Sequence, residues 1–416
     1  MIRITHNTDE DNADSSGSDS LAIEPAFMLL FSIHLPGVFA GFKMPFPDIA
    51  LLPPKQLDGY VTRLTEFETQ LLGMAFVEAR RITRWPLGRI ELNGLSTDAP
   101  TYADVYLLSH KSGAALWEVW LPAPSQSFDA SRWISWLDPE AKDGLVARLW
   151  SVLGPVNKEI TGKPIWSGLY FPLTILRAPQ HPLKTVVERH KADLVHLLFL
   201  DHSPRTFKPG MVDEELSRDY CAREGGLTLL ARRSGLDVHG REDLAGGTHE
   251  ASLPPKSALP FLITLELLLI ERTVLTHLYG QLSRRMPGSV DELLALKQEV
   301  LDALEEYYGT ITKANRLSDA VTVAGERLLG LGDFYEAVMA RLDTVSFAIT
   351  TRYQKRMTLL QFWLTIVFGA TEIGFIASGI ATWYYRTGLG AVLGWTVGAS
   401  LVSGLVLVLL LRGKIE

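Results

Sequence analysis

Two long apolar runs near the C-terminal end constrain this chain more than any other feature. They cover Leu359–Ala381 and Leu389–Leu411, and only the segment TWYYRTG (Thr382–Gly388) separates them. Each run can cross the hydrocarbon core of a bilayer as a helix, which takes about 20 residues. The sequence therefore predicts a large body mounted on a C-terminal transmembrane hairpin.

At 416 residues the chain is too long to fold around a single hydrophobic core, so more than one domain is expected. Alternating strand and helix patterns give way to long helices and then to the apolar runs. We predict a disordered acidic tail over 1–22, a cytoplasmic α/β domain over 23–257, long helices with a stalk over 258–356, and the transmembrane hairpin with a short basic tail over 357–416.

Charge and cysteine content exclude several classes of function. The net charge of −7 offers no electrostatic basis for nucleic-acid binding, so no nucleic-acid partner is expected. The single cysteine, Cys221, rules out an internal disulfide and a multi-cysteine metal site. The sequence shows no phosphate-binding glycine loop and no nucleophile elbow, so we predict neither catalytic residues nor a cofactor site.

Within the α/β domain, runs of β-branched and aromatic residues predict strands and amphipathic runs predict helices. The run Pro25–Phe42 predicts buried strands with a turn. The predicted strands are Arg89–Gly94, Ala103–His110, Ala114–Pro122, a pair within Pro164–Leu176, and a doubly buried central strand at Ala192–Leu200. The predicted helices are Ser131–Leu137, Asp138–Gly154 and much of Arg205–Arg233, and Gly235–Ser257 is predicted to be a loop or linker.

The helical region begins with a core helix at Leu259–Met286, and Ser289 with Glu292 forms a capping box for the next helix. A heptad seam then leads towards the first apolar run. It consists of Leu331, Tyr335, Val338, Leu342, Val345 and Ile349. This seam is explained equally well by packing on the chain's own helices or by packing on copies of the chain.

Basic residues set the expected orientation in the membrane. Arg352, Lys355 and Arg356 precede the first run, Arg412 and Lys414 follow the second, and the intervening loop carries only Arg386. The positive-inside rule then places both termini and the body in the cytoplasm.

The first apolar run carries a polar stripe at helical spacing. Its members are Thr358, Gln361, Thr365, Gly369, Glu372, Gly379 and Thr382. A carboxylate near the middle of a span should face protein or water rather than lipid. Either the stripe lines a pore with Glu372 as a ring of carboxylates, or Glu372 is protonated and hydrogen-bonds within the hairpin.

Small residues in the second run allow close helix approach. Gly390, Gly394 and Gly398 recur every four residues, with Ser400, Ser403 and Gly404 following. We expect this stripe to pack against the first span.

Acidic residues on the stalk give a second candidate site. Asp333, Glu336 and Asp343 offer carboxylates for a divalent ion, and the alternative is a solvated helical face. His190, His196 and His202 recur every six residues, a spacing that suits no metal site on a single element.

The order of elements resembles that of the CorA family of metal-ion channels. Lys313–Leu360 is similar to the stalk helix of that family, because small and polar residues end in a basic cluster before the first span. The family carries Gly-Met-Asn at the end of the first span, where this chain reads ATWYYRTG (Ala381–Gly388). No filter residue can therefore be carried over.

The resemblance implies a homopentamer in which the first spans line a central pore and divalent cations, Mg²⁺ foremost, serve as substrate or regulator. A second function is also implied, because some CorA-like proteins of bacterial defence systems are ligand-gated effectors whose cytoplasmic domain senses a signal molecule. A membrane-tethered binding module without conduction is the third alternative.

Overall fold

The computed structural model describes most of the chain. The described residues are 21–35, 58–72, 82–92, 97–110, 112–142, 144–163, 166, 168–201, 207–208, 210–221, 223–245, 254–284, 291–295, 298, 316–385 and 388–412. The predicted acidic tail lies outside them up to residue 20, as do Ser289 of the predicted capping box and the turn expected after Pro36.

Eight strands and ten helices are assigned in the described residues. In chain order they are β1 Ala22–His34, α1 Asp58–Leu72, β2 Ile82–Glu91, β3 Tyr102–His110, β4 Ala114–Pro122, β5 Gln126–Ser127, α2 Ala130–Leu137, α3 Leu145–Thr161, β6 Tyr170–Arg177, α4 Leu183–Phe199, α5 Met211–Ser217, β7 Gly226–Leu230, β8 Gly235–His239, α6 Arg241–Leu244, α7 Leu259–Arg284, α8 Arg316–Leu329, α9 Leu331–Tyr385 and α10 Leu389–Arg412.

The strands form a single mixed sheet with β1 near its centre. Its order is β2-β3-β4-β1-β6-β8-β7, and the short β5 pairs with the start of β1. All pairs are antiparallel except β6 with β8, which run parallel. Nearly every side chain of β1 is buried, as expected for a strand covered on both faces.

Helices cover the two faces of this sheet. Phe27 and Phe31 of β1 belong to a core shared with α2, α3 and α4, in which Trp133 is fully buried. On the opposite face α7 contributes Phe261, whose ring would lie 3.2 Å from a Cβ added at Gly235. The predicted core helix at the start of α7 is thus a buried helix.

Long helices complete the chain. Two of them, α9 and α10, are long and apolar enough to cross a membrane. Contacts divide the chain into two units: the body, Met1–Gln281 with Glu299–Val338, and the hairpin unit, Leu282–Gln298 with Met339–Glu416. An α/β sheet domain followed by long C-terminal helices is therefore the observed architecture.

The predicted central strand at Ala192–Leu200 is wrong, because this segment is the second half of helix α4. Leu194, Val195, Leu197 and Leu198 are buried, whereas Phe199 is 40% exposed. Leucine favours helices, and a short apolar run does not distinguish a buried strand from one buried helix face.

The predicted linker at Gly235–Ser257 is also wrong in its first part, since Gly235–His239 is the fully buried strand β8. The polar residues Asp237 and His239 suggested an exposed loop, but they are buried because they form an ion pair. The helix expected across Arg205–Arg233 is restricted to α5, and Gly226–Leu230 is the strand β7.

The other strand and helix predictions agree with the structure to varying degrees. Strands β3 and β4 and helix α2 match their predicted ranges, whereas the pair expected within Pro164–Leu176 is the single strand β6. The helix expected at Asp138–Gly154 begins at Leu145 and continues through Pro155 to Thr161.

The heptad seam is covered by the chain itself. Val338 and Val345 are fully buried, and Tyr335 is the most exposed of the six positions, being half-buried. Within the hairpin unit the Arg341 side chain donates a hydrogen bond to the Leu282 carbonyl oxygen. The seam therefore needs no second copy of the chain to be buried.

Candidate functional site

The hairpin unit contains the polar stripe on which the sequence prediction depends. Helices α9 and α10 pack antiparallel along one face of α9, where Ile366, Ala370 and Ala381 are buried. The Ser403 hydroxyl lies 3.4 Å from the Ala370 carbonyl oxygen. At Gly374 the helices are closest, because an added Cβ would overlap the Ser400 hydroxyl and lie 2.7 Å from the Thr396 carbonyl oxygen.

The polar stripe lies on the side of α9 that faces away from α10. At about 100° per residue, its members are centred opposite the Ile366–Ala381 contact line. Gly369, at the edge of the contact, is half-buried. The remaining members are exposed: Thr358, Gln361, Thr365, Glu372, Gly379 and Thr382.

Glu372 is the only charged member of the stripe. With Gln361, Thr365 and Phe368 it lines an open groove along α9. It forms no hydrogen bond or ion pair within the described part of the chain, so hydrogen bonding inside one hairpin is not observed. The carboxyl group is thus left for a partner outside this chain or for water.

The glycines of α10 do not lie where the sequence predicted. A Cβ added at Gly390, Gly394 or Gly398 would meet nothing within 4 Å. The contact with α9 uses the later small residues Ser400, Ser403 and Gly404 instead. The prediction is therefore confirmed for the later small residues and wrong for the three glycines, because a spacing of four fixes which residues share a face but not which face meets the neighbour.

Aromatic and basic residues lie at the ends of the predicted first span. Trp363 is 50% and Trp383 is 84% exposed, a placement typical of interfacial anchors. Arg352, Lys355 and Arg356 are exposed on α9 ahead of the apolar run. Arg412 ends α10, whereas Arg386 and Lys414 lie outside the described residues.

The three stalk carboxylates are exposed on α9. Asp333, Glu336 and Asp343 form no metal-binding group, and none was found among the described residues. His190 stacks on Phe128 and His196 lies against Phe207, while His202 is outside the described residues. Within the described residues of the single chain, neither set forms a metal site.

A buried charge cluster in the body escaped the sequence prediction. The Arg84 guanidinium of β2 donates to Glu68 of α1 at 2.7 Å, to Glu118 of β4 at 3.0 Å and to Glu266 of α7 at 2.5 Å. We call these four residues the Arg84 cluster. Their side chains are at most 10% exposed. Because Glu68 and Glu266 are far apart in sequence, the cluster links distant segments of the body across one face of the sheet.

One cation cannot neutralise three buried carboxylates. Burial raises the pKa of Glu266 well above its usual range, and repulsion from Glu118 and Glu68 acts in the same direction. Burial likewise raises the pKa of Glu118, against the attraction of Arg84. Both shifts favour the protonated form of these buried carboxyl groups. The cluster is enclosed and joins structural elements, which indicates a structural role.

A second buried cluster surrounds His239 of β8. Its Nε2 lies 2.9 Å from Asp237 and its Nδ1 lies 2.7 Å from Asp243, with the Ser257 hydroxyl 3.2 Å from Nδ1. Although burial alone lowers the pKa of His239, the two carboxylates raise it to about 9. An imidazolium that donates from both nitrogens cannot act as a general base, so this serine–histidine–aspartate grouping is structural.

We expect His239 to make the stability of the body depend on pH. Its pKa rises from 6.5 to about 9 on folding. The stabilisation is present in full below pH 6.5 and is lost as the pH rises through 9, a change of about 3 kcal/mol. Urea unfolding of the full chain between pH 6 and pH 10 should show this loss in the native chain but not in His239→Gln. Parallel pH curves for the two proteins would contradict it.

Comparisons with protein-family models, with curated proteins and with solved structures gave no match to this chain.

Proposed function

We propose that this protein is a CorA-like membrane channel in which α9 helices from several copies surround a cation pore. The observation that carries the proposal is the uncovered polar stripe through Glu372 on α9, opposite the contact with α10. Divalent cations are the expected substrate, and a homopentamer in the inner membrane, with both termini cytoplasmic, is the expected assembly.

Placing a carboxylate in the membrane is energetically unfavourable. A charged carboxylate near the centre of a span costs about 2.5–3.5 kcal/mol on insertion scales. The chain's own second helix does not relieve this cost, because Glu372 is exposed on the other side of α9. Copies arranged around an axis would turn these faces towards water and form a ring of carboxylates that attracts cations.

The remaining surface of the apolar run of α9 suits a helix that faces a pore on one side and lipid on another. Within the apolar run, most of the exposed side chains beyond the stripe and the α10 contact are large and apolar. They include Val367, Ile373, Phe375, Ile376 and Ile380. The hydroxyls of Thr358 and Thr365 already donate to carbonyl oxygens one turn earlier, so their oxygens remain available as acceptors for a hydrated ion.

A second candidate is a ligand-gated effector whose body senses a signal molecule. The observation that favours it is the outer end of α9, where Trp383 and Tyr384 are exposed in place of the family's Gly-Met-Asn. Without that signature a pore would select cations by charge alone, which suits an effector that depolarises a membrane.

Flux measurements in liposomes test the channel. We expect the native chain to pass Mg²⁺ or K⁺ in preference to chloride. Glu372→Gln should reduce this preference by about tenfold or more, because the carboxylate ring concentrates cations. The matched control is Thr371→Val, since Thr371 is an exposed polar residue of the same helix turn but outside the stripe.

Three results would decide against the channel as stated. Equal selectivity of the native chain and Glu372→Gln would remove Glu372 from the pore. A monomeric mass of the detergent-solubilised protein would leave no symmetric pore. Flux that begins only after addition of a small-molecule fraction from cells would favour the effector.

A further inference from the structure

A cavity of about 280 Å³ lies in the body where α8 ends and α9 begins. We call it the α8–α9 cavity. The chain turns there at Gly330, whose φ of +66° is a left-handed conformation that favours glycine. Glu271 of α7, Glu326 of α8 and Asp333 of α9 all line it.

Glu271 has no partner for its charge among the described residues. Glu271 is only 6% exposed, yet its side chain forms no hydrogen bond or ion pair within the described residues. Burial raises the pKa of Glu271 to about 7, and repulsion from Glu326 adds to the effect. A buried carboxylate without a partner is unfavourable, so a cation that entered the cavity would be stabilised there.

The lining indicates the chemistry of that cation. Three carboxyl groups face a single basic side chain, Arg327, while Val323 and Leu331 add aliphatic surface. These carboxyl groups do not form a metal-binding group, and no such group occurs among the described residues. The cavity also exceeds the volume of a bare ion, whereas a short alkyl chain would pack against the aliphatic wall.

We propose that the α8–α9 cavity binds a small organic cation of the alkylammonium class. Its ammonium group lies between Glu271 and Glu326, and its methylene chain lies against Val323 and Leu331. The site belongs to the body alone, so its occupation does not depend on whether the hairpin conducts ions.

Calorimetric titration of the full chain in an uncharged detergent tests this site, with 1,4-diaminobutane as the probe. We expect saturable binding that weakens about tenfold or more in Glu271→Gln, since a charged hydrogen bond is lost. The exposed Glu159 of α3 provides the matched control, and Glu159→Gln should bind as the native chain does. The uncharged analogue 1,4-butanediol should not bind.

A second variant guards against a folding defect in the first. Glu326 is half-buried, and Glu326→Gln should weaken binding in the same direction. Binding to the native chain should also tighten from pH 6 to pH 8 as Glu271 ionises beside Glu326, Arg327 and Asp333. Absence of saturable binding, equal binding by Glu271→Gln, or a Mg²⁺ ion that binds through Glu271 and displaces the diamine would each overturn the proposal.

Discussion

Arg84→Met is expected to destabilise the body by about 3–5 kcal/mol, the usual loss when one partner of a buried ion pair is removed. The guanidinium is the only cation in contact with Glu68, Glu118 and Glu266 in the described residues. Methionine fills much of its volume but leaves these carboxyl groups buried without a counter-charge. The unfolding temperature, followed by the fluorescence of the buried Trp117 and Trp120, should fall by about 10 °C.

The loss of stability caused by Arg84→Met should itself depend on pH. Without Arg84 the buried carboxyl groups bind protons more readily in the folded chain than in the unfolded chain. Stability that depends on bound protons is lost as the pH rises, so the deficit should be smaller at pH 5 than at pH 8.

Arg132→Met is the control for the loss of an arginine. Arg132 also contacts two carboxylates, Asp98 at 2.8 Å and Asp129 at 3.3 Å, but its side chain is 42% exposed. Exposed ion pairs contribute about 0–1 kcal/mol, so this variant should unfold close to the native temperature. Equal losses of stability for Arg84→Met and Arg132→Met would show that the buried Arg84 cluster stabilises the body no more than an exposed ion pair does.

Local sequence pattern predicts much of this fold but not the Arg84 cluster. The partners of Arg84 are 16, 34 and 182 positions away along the chain. No spacing rule links residues so far apart, and a glutamate in an apolar helix looks like a surface charge. The signal that was available is the presence of glutamates inside two buried segments, Glu118 in β4 and both Glu266 and Glu271 in α7, since a buried charge needs a partner.

The errors at α4 and β8 have opposite physical causes. Burial of one helix face by consecutive leucines made α4 resemble a strand covered on both faces. In β8 the charged residues Asp237 and His239 neutralise each other inside the body, so a buried strand resembled a loop. Pattern reasoning assigns charge to the surface, and it fails where tertiary structure pairs charges internally.

In the hairpin, sequence patterns predicted the polar face of α9 but only part of the packing face of α10. A stripe through Glu372 can be identified in sequence because a charge in an apolar run is conspicuous. The glycines of α10 lie on one face and its serines on another. Because both faces carry small residues, residue size alone allows either face to meet α9. The contact at Gly374 decides between them.

Gly374→Leu is therefore expected to separate α10 from α9. Its added side chain would meet Ser400 and the backbone at Thr396, and overpacking of this kind costs about 1–3 kcal/mol. A disulfide reports the packing, because a Cβ at Gly404 would lie 3.6 Å from that of Ala370, within the usual range for disulfides. In Cys221→Ser, the pair Ala370→Cys and Gly404→Cys should oxidise almost completely, and adding Gly374→Leu should leave most thiols free to react with a maleimide.

Gly379→Leu makes the same substitution on the same helix where a Cβ meets nothing within 4 Å, so disulfide formation should be unchanged. The comparison also bears on the proposed pore, because Gly379 lies on the polar stripe and Gly374 on the contact face. If both leucines reduced the crosslink equally, the contact face of α9 would be wrongly assigned. The stripe would then no longer be the uncovered side, and the argument that Glu372 faces water between copies of the chain would fail with it.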